Sequence, residues 1–117
     1  MNGVERVIPR EFIIQGLRHV SDFWTIIIVH QLRQGPRRFN EIQGGIDGLN
    51  PVTLTNRLRL LTEQRMIERL KQPGQKAVAY ALTAKGRDLL PILDAMWTFG
   101  QKHFDADAWS TEQTGKE

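Results

Sequence analysis

Asn50-Pro51 ahead of Leu54, Leu58 and Leu61 is the clearest helix start in this chain and the strongest constraint on its fold. An asparagine side chain satisfies an otherwise unpaired first-turn amide, and proline suits the first helical position because its missing N–H has no partner there anyway. The leucine spacing puts one apolar stripe along a helix that runs to about Gln64. Two strand candidates follow at once, Ile67–Lys71 and Ala77–Leu82. In the second, Val78, Tyr80 and Leu82 alternate with three alanines, so large and small side chains are expected on opposite faces. Between the strands, Gln72-Pro73-Gly74-Gln75 suits a type II turn, with proline setting φ and glycine accepting φ > 0. The segment therefore reads as a helix running straight into a hairpin.

The elements on either side are helical. Pro9 opens a first helix in which Ile13, Leu17 and Val20 form a stripe expected to be buried. Ser21 or Asp22 caps a second, with Trp24, Ile27, Ile28 and Leu32 facing a core and Gly35-Pro36 ending it. Arg37-Arg38-Phe39 reads as extended. Asn40 then caps a short third helix, with Gln43 completing a capping box and Ile42, Ile46 and Leu49 forming the apolar face. Gly44-Gly45 shortens that helix, since each glycine costs about 1 kcal/mol relative to alanine. Thr83 caps a C-terminal helix reaching about Phe104, which Pro91 must kink or split. The fold class is α+β, mostly α, with residues 1–104 forming a single domain and 105–117 a flexible tail.

Charge is concentrated on the middle of this order. From Gln31 to Lys76 nine basic residues face four acidic ones, a block of +5 in a 117-residue chain whose net charge is +3. Such a basic centre between acidic-leaning flanks suggests a polyanion-binding face. With no cysteine, the chain can have no disulfide framework, thiolate nucleophile, thiolate-bound zinc or thiol switch. His19, His30 and His103 lack ligand or triad spacing and no glycine-rich phosphate loop is present, so neither an enzyme nor a bound metal or cofactor is expected. Phe23–Val29, the longest apolar run, is too short to cross a bilayer, and no basic-then-apolar leader opens the chain. No membrane partner and a cytoplasmic location are the expectation.

Two consecutive helices joined by a tight turn and followed by a basic hairpin describe a winged helix-turn-helix. At this level the chain also resembles the HxlR-type transcriptional regulators, of the MarR-like superfamily. The resemblance rests on Phe23-Trp24-Thr25-Ile26-Ile27-Ile28, on Gly35-Pro36-Arg37-Arg38-Phe39-Asn40-Glu41-Ile42, and on Asn50 through Leu61 with Met66-Ile67-Glu68-Arg69. It closes with Tyr80-Ala81-Leu82-Thr83-Ala84-Lys85-Gly86-Arg87 and covers about Glu11 to Gly100. It implies a homodimeric winged-helix regulator that reads DNA with the helix from Pro51. Two departures stand out. Many members carry a redox-sensing cysteine where this chain has Arg10-Glu11-Phe12, and Ser21-Asp22-Phe23 replaces the usual Gly-Gly-Lys.

With the leucine stripe inward, Val52, Asn56, Arg59 and Glu63 lie opposite it, flanked by Thr53, Thr55 and Arg57. Val52 can pack on a thymine methyl, Asn56 can pair with adenine, and Arg57 or Arg59 can read guanine. The alternative is a solvated face on which the arginines pair with Glu63. A fold like that family's would hold Arg37 and Arg38 near a phosphate, and Lys71 and Lys76 flank the turn of a two-stranded wing that would lie on the backbone or minor groove. Ile13 and Leu17 of the first helix, with Leu89, Leu93, Met96, Trp97 and Phe99, exceed what a small domain can cover and are assigned to N- and C-terminal dimerisation helices. Such a dimer would bind double-stranded DNA at a pseudo-palindromic operator. Phe12, Phe23, Trp24, Trp97 and Phe99 suggest a space for a small apolar or aromatic effector. The competing reading is a winged-helix protein-interaction module without DNA binding.

Overall fold

The structure is a computed structural model that describes residues 9–71 and 73–104. The tail expected over 105–117, Gln72 of the wing turn and the side chain of Val20 lie outside that description. Helix α1, Arg10–Val20, leads through Ser21 and Asp22 into α2, Phe23–Gln31. Gly35 adopts φ 146°, and beyond Pro36 the chain extends as β1, Arg37–Arg38.

Helix α3, Phe39–Gly44, starts earlier than expected. Its cap position is Arg38 rather than Asn40, and the Arg38 backbone N–H donates to Glu41 Oε1 at 2.8 Å. Glu41 thus takes the place expected of Gln43. Strand pairing is the reason: β1 holds Arg38 extended up to the helix start, so Asn40 falls inside the first turn. The helix stops at Gly44 as its glycines dictate, yet Ile46 and Leu49 beyond it are buried with Ile42.

Helix α4, Pro51–Glu63, forms as its start signal requires, with the Thr53 N–H donating to Asn50 Oδ1 at 2.8 Å. Arg65, at φ 61°, turns the chain into β2, Ile67–Leu70. Gly74 at φ 81° makes the tight turn back toward β3, Ala79–Leu82. The sheet has three antiparallel strands in the order β1-β3-β2, not two, because β1 pairs Arg37 with Tyr80 and Arg38 with Ala79. The alternation expected in β3 also fails at its end, where neighbours Ala81 and Leu82 are both buried. Thr83 caps a single turn, α5, Ala84–Arg87, and the chain restarts as α6, Leu90–His103, with Pro91 in its first turn. The break at Asp88-Leu89 is the split that Pro91 demanded.

The core lies between α2, α3, α4 and the sheet. Ile28, Leu32, Ile42, Leu54, Leu61, Met66 and Ile67 are essentially sealed from solvent, and Leu58, Leu82, Leu89 and Leu93 join them. Each such side chain contributes about 1.5–3 kcal/mol of transfer free energy as an upper bound, so these elements hold the fold together. Helix α1 does not share in this. Phe12, Ile13 and Leu17 remain 73%, 51% and 55% exposed, so the stripe expected to be buried faces outward.

Candidate nucleic-acid interface

Asn50 and Pro51 set where α4 begins, and the buried leucines set its roll. The opposite face then carries Val52, Thr55, Asn56 and Arg59, all exposed, with Thr53 half-buried beside them. Val52 shows 69% of its surface to solvent, although an exposed valine satisfies nothing within the chain itself. Arg57 departs from expectation. Its Nε lies 2.7 Å from Asp22 Oδ2 at the head of α2, so this guanidinium is already paired within the chain and is not a free base reader. Of the two arginines assigned to guanine, Arg59 is the exposed one.

Beside α4, β1 and the wing carry two further groups of cations. Arg38 lines a cleft of about 390 Å³ with Gln75, Leu70, Ala79, Pro36 and Glu41, which places the β1 arginine against the base of the wing. Arg37 is half-buried in the strand; Lys71 and Lys76 are exposed on either side of the turn. A second cleft, about 320 Å³, separates α4 from the sheet and is lined by Thr55, Arg59 and Glu63 on one side and Arg69 and Tyr80 on the other. Arg69 is a candidate that sequence reasoning passed over. Its signal was its register, since strand pairing sets Arg69 opposite Tyr80, but that pairing is legible only once the sheet is assembled.

The surface assigned to dimerisation divides in two. Leu89 and Leu93 are 6% and 8% exposed and belong to the chain's own core, so they leave no side chain for a partner. Ile13, Leu17, Met96, Trp97 and Phe99 are exposed. Arg33 Nη2 holds both oxygens of Asp94, at 2.7 and 2.6 Å, tying the end of α2 to α6. Next to this pair a cavity of about 460 Å³ opens between the two helices, lined by Ile26, Ile27, His30, Leu93 and Trp97. Of the five aromatic residues expected around one effector space, Trp97 alone lines it. Phe23 and Trp24 instead pack edge to face, with centroids 5.2 Å apart. Among the described residues no group of histidines and carboxylates has the arrangement of a metal site, and no single helix is long and apolar enough to cross a membrane.

Comparison with known proteins agrees with this geometry. Residues 19–108 match the model of the HxlR-like helix-turn-helix family. An uncharacterised HTH-type transcriptional regulator of Synechocystis is 33% identical over 97 residues, 79% of this chain and 72% of that protein. The crystal structure of diamide-treated YodB from Bacillus subtilis matches with a TM-score of 0.69 at 26% identity, over 86% of this chain and 99% of that one. A MarR-family regulator structure from Porphyromonas gingivalis W83 shares the fold at TM-score 0.74 and 24% identity, over 86% of this chain and all of that one. The relatives are described as regulators of transcription rather than as enzymes. A match that begins at the end of α1 and runs past α6 takes in both α4 and the wing, and on it the chain belongs to the HxlR-like helix-turn-helix family, as a winged-helix regulator of transcription that binds DNA.

Proposed function

We propose that the chain acts as a homodimer that binds a pseudo-palindromic operator in double-stranded DNA. The helix over 51–64 enters the major groove, and the wing over 71–77 lies on the backbone or in the minor groove. The observation that carries this is the outward face of α4, where Val52, Thr55, Asn56 and Arg59 stand exposed on a helix whose other side is locked in the core. In helix-turn-helix docking, side chains near the start of the second helix are those that reach base edges. Asn56 pairs with an adenine, Arg59 with a guanine, and Val52 packs on a thymine methyl. Arg37, Arg38, Lys71 and Lys76 supply phosphate contacts, which orient the protein without reading sequence.

The partner surface is formed by Ile13 and Leu17 of α1 with Met96, Trp97 and Phe99 of α6. Exposed apolar side chains on two helices are a surface that a second copy would cover, and two-fold pairing would set the half-sites about one helical turn apart. The unit over residues 1–104 would carry both roles, in the cytoplasm. A small apolar or aromatic effector would enter the cavity between α2 and α6, where Ile26, Ile27, Leu93 and Trp97 offer apolar walls beside the Arg33–Asp94 pair.

Fluorescence anisotropy with the gene's own upstream region and with a scrambled duplex, across a salt series, tests the reading. Tighter binding to the upstream region, weakening with salt, is the expected result. Equal affinity for both duplexes refutes sequence specificity. Absence of binding at low salt would leave the fold as a protein-interaction module.

A further inference from the structure

Asp22 stands immediately before α2 and reaches across to the reading helix. Its Oδ2 accepts the Thr25 hydroxyl proton at 2.7 Å and lies 2.7 Å from Arg57 Nε. That nitrogen is sealed from solvent and its N–H does not line up on the oxygen, so the contact is an ion pair rather than a directed hydrogen bond. The arginine side chain as a whole keeps 33% of its surface exposed, on the flank of α4 beside Thr53 and Asn56. One carboxylate oxygen therefore does two things: it ties the first turn of α2 and neutralises a cation at the edge of the DNA-reading face.

A free arginine in that position would bind any phosphate within reach, whatever the sequence, and would raise non-specific affinity. Paired with Asp22, Arg57 exerts little pull on a polyanion. Release of Arg57 would favour random DNA most. On a cognate site the base contacts of α4 set the docking, whereas on random sequence the protein can shift to suit one more phosphate. We infer that Asp22 is a specificity-determining residue, restraining Arg57 so that sequence-independent binding stays weak while Asn56 and Arg59 read bases. The inference rests on the DNA-binding reading above.

Asp22→Asn tests it with little change of shape, since the asparagine oxygen can still accept the Thr25 hydroxyl. Anisotropy would be measured on the upstream-region duplex and on a scrambled duplex of equal length, between 50 and 200 mM salt. The Asn variant is expected to bind the scrambled duplex with a log–log salt slope steeper by about 0.9, so that its affinity falls about threefold more than the parent's over this range. The ratio of specific to random affinity at low salt should drop by a similar factor. In an Arg57→Gln background the same substitution should change nothing, and Arg57→Gln alone should leave the parent's slope unchanged. An unchanged slope in Asp22→Asn, the same gain without Arg57, or loss of binding to both duplexes together with a lower melting temperature overturns the role. If the parent binds neither duplex at low salt, the DNA-binding reading fails first and the inference goes with it.

Discussion

Replacing Gly86 by alanine should destabilise the chain even though the position is helical. A Cβ built there would stand 2.1 Å from the Met66 carbonyl oxygen and 3.2 Å from Leu82 Cδ2. Relief of the first contact requires roughly 1 Å of movement, and the atom in the way is backbone rather than a flexible side-chain tip. The Met66 oxygen also accepts the Thr83 N–H at 3.1 Å, and the Thr83 hydroxyl lies 2.6 Å from the Arg65 carbonyl and accepts the Gly86 N–H at 3.1 Å. The methyl group would therefore push apart the knot that joins the end of α4 to the start of α5. Overpacking costs about 1–3 kcal/mol, and one strained hydrogen bond adds about 1 kcal/mol. Against this, alanine gains about 1 kcal/mol in helix propensity. The balance is a loss of about 2 kcal/mol, which for a domain of this size lowers the melting temperature by roughly 8 °C. Thermal and urea denaturation followed by circular dichroism would measure it. A melting temperature equal to or above the parent's would refute the reasoning, because propensity would then outweigh the clash.

Four other variants probe the site and its supports. Asn50→Ala removes the side-chain oxygen that accepts the Thr53 N–H and should cost about 1 kcal/mol in urea denaturation, with the fold retained. Asn56→Ala should lose about 1–3 kcal/mol of discrimination at one base pair while keeping the parent's salt slope, as a panel of single-base operator variants would reveal. Neutralising Lys71 and Lys76 together should weaken specific and random binding alike and flatten the salt slope by up to about 1.8, whereas a loss confined to one sequence would mean base contact. Trp97→Ala should raise the dimer dissociation constant by roughly thirtyfold, as expected of a central anchor of the partner surface, and monomer–dimer ratios from sedimentation in the analytical ultracentrifuge would report it.

Local signals carried most of the fold. Asn50-Pro51, the leucine stripe, the Pro73-Gly74 turn and the Pro91 break act within a few residues of themselves, and each element they mark lies where they put it. What the sequence did not disclose depends on residues distant in the chain. Arg37 and Arg38 read as extended, but only β3 makes them a strand of the sheet, and that pairing also moves the cap of α3 from Asn40 to Arg38. In the sequence Arg57, on the flank of α4, and Arg59, opposite the leucine stripe, are both open to reading guanine. Only the packing of α2 against α4 brings Asp22, 35 positions earlier, up to one of them and not the other. Absence of cysteine needed no structure: a thiol switch is closed to this chain, whatever signal it answers.

The split within the α6 surface has a geometric cause that periodicity does not contain. At 100° per residue, Leu89, Leu93 and Met96 fall within about 60° of one another, so a helical wheel gives all three the same neighbour. Yet the first two are 6% and 8% exposed while Met96 is 46% exposed. Orientation is shared; cover is not. Arg33 clamps Asp94 at the end of α2, and the cavity lined by Ile26, Ile27, Leu93 and Trp97 lies beside that clamp. Leu93 belongs to the core, while Met96, Trp97 and Phe99 beyond it stand uncovered. A partner helix that covered these three would close over the cavity as well. Dimer formation and occupancy of the cavity should therefore be coupled, each changing the affinity for the other by the same factor.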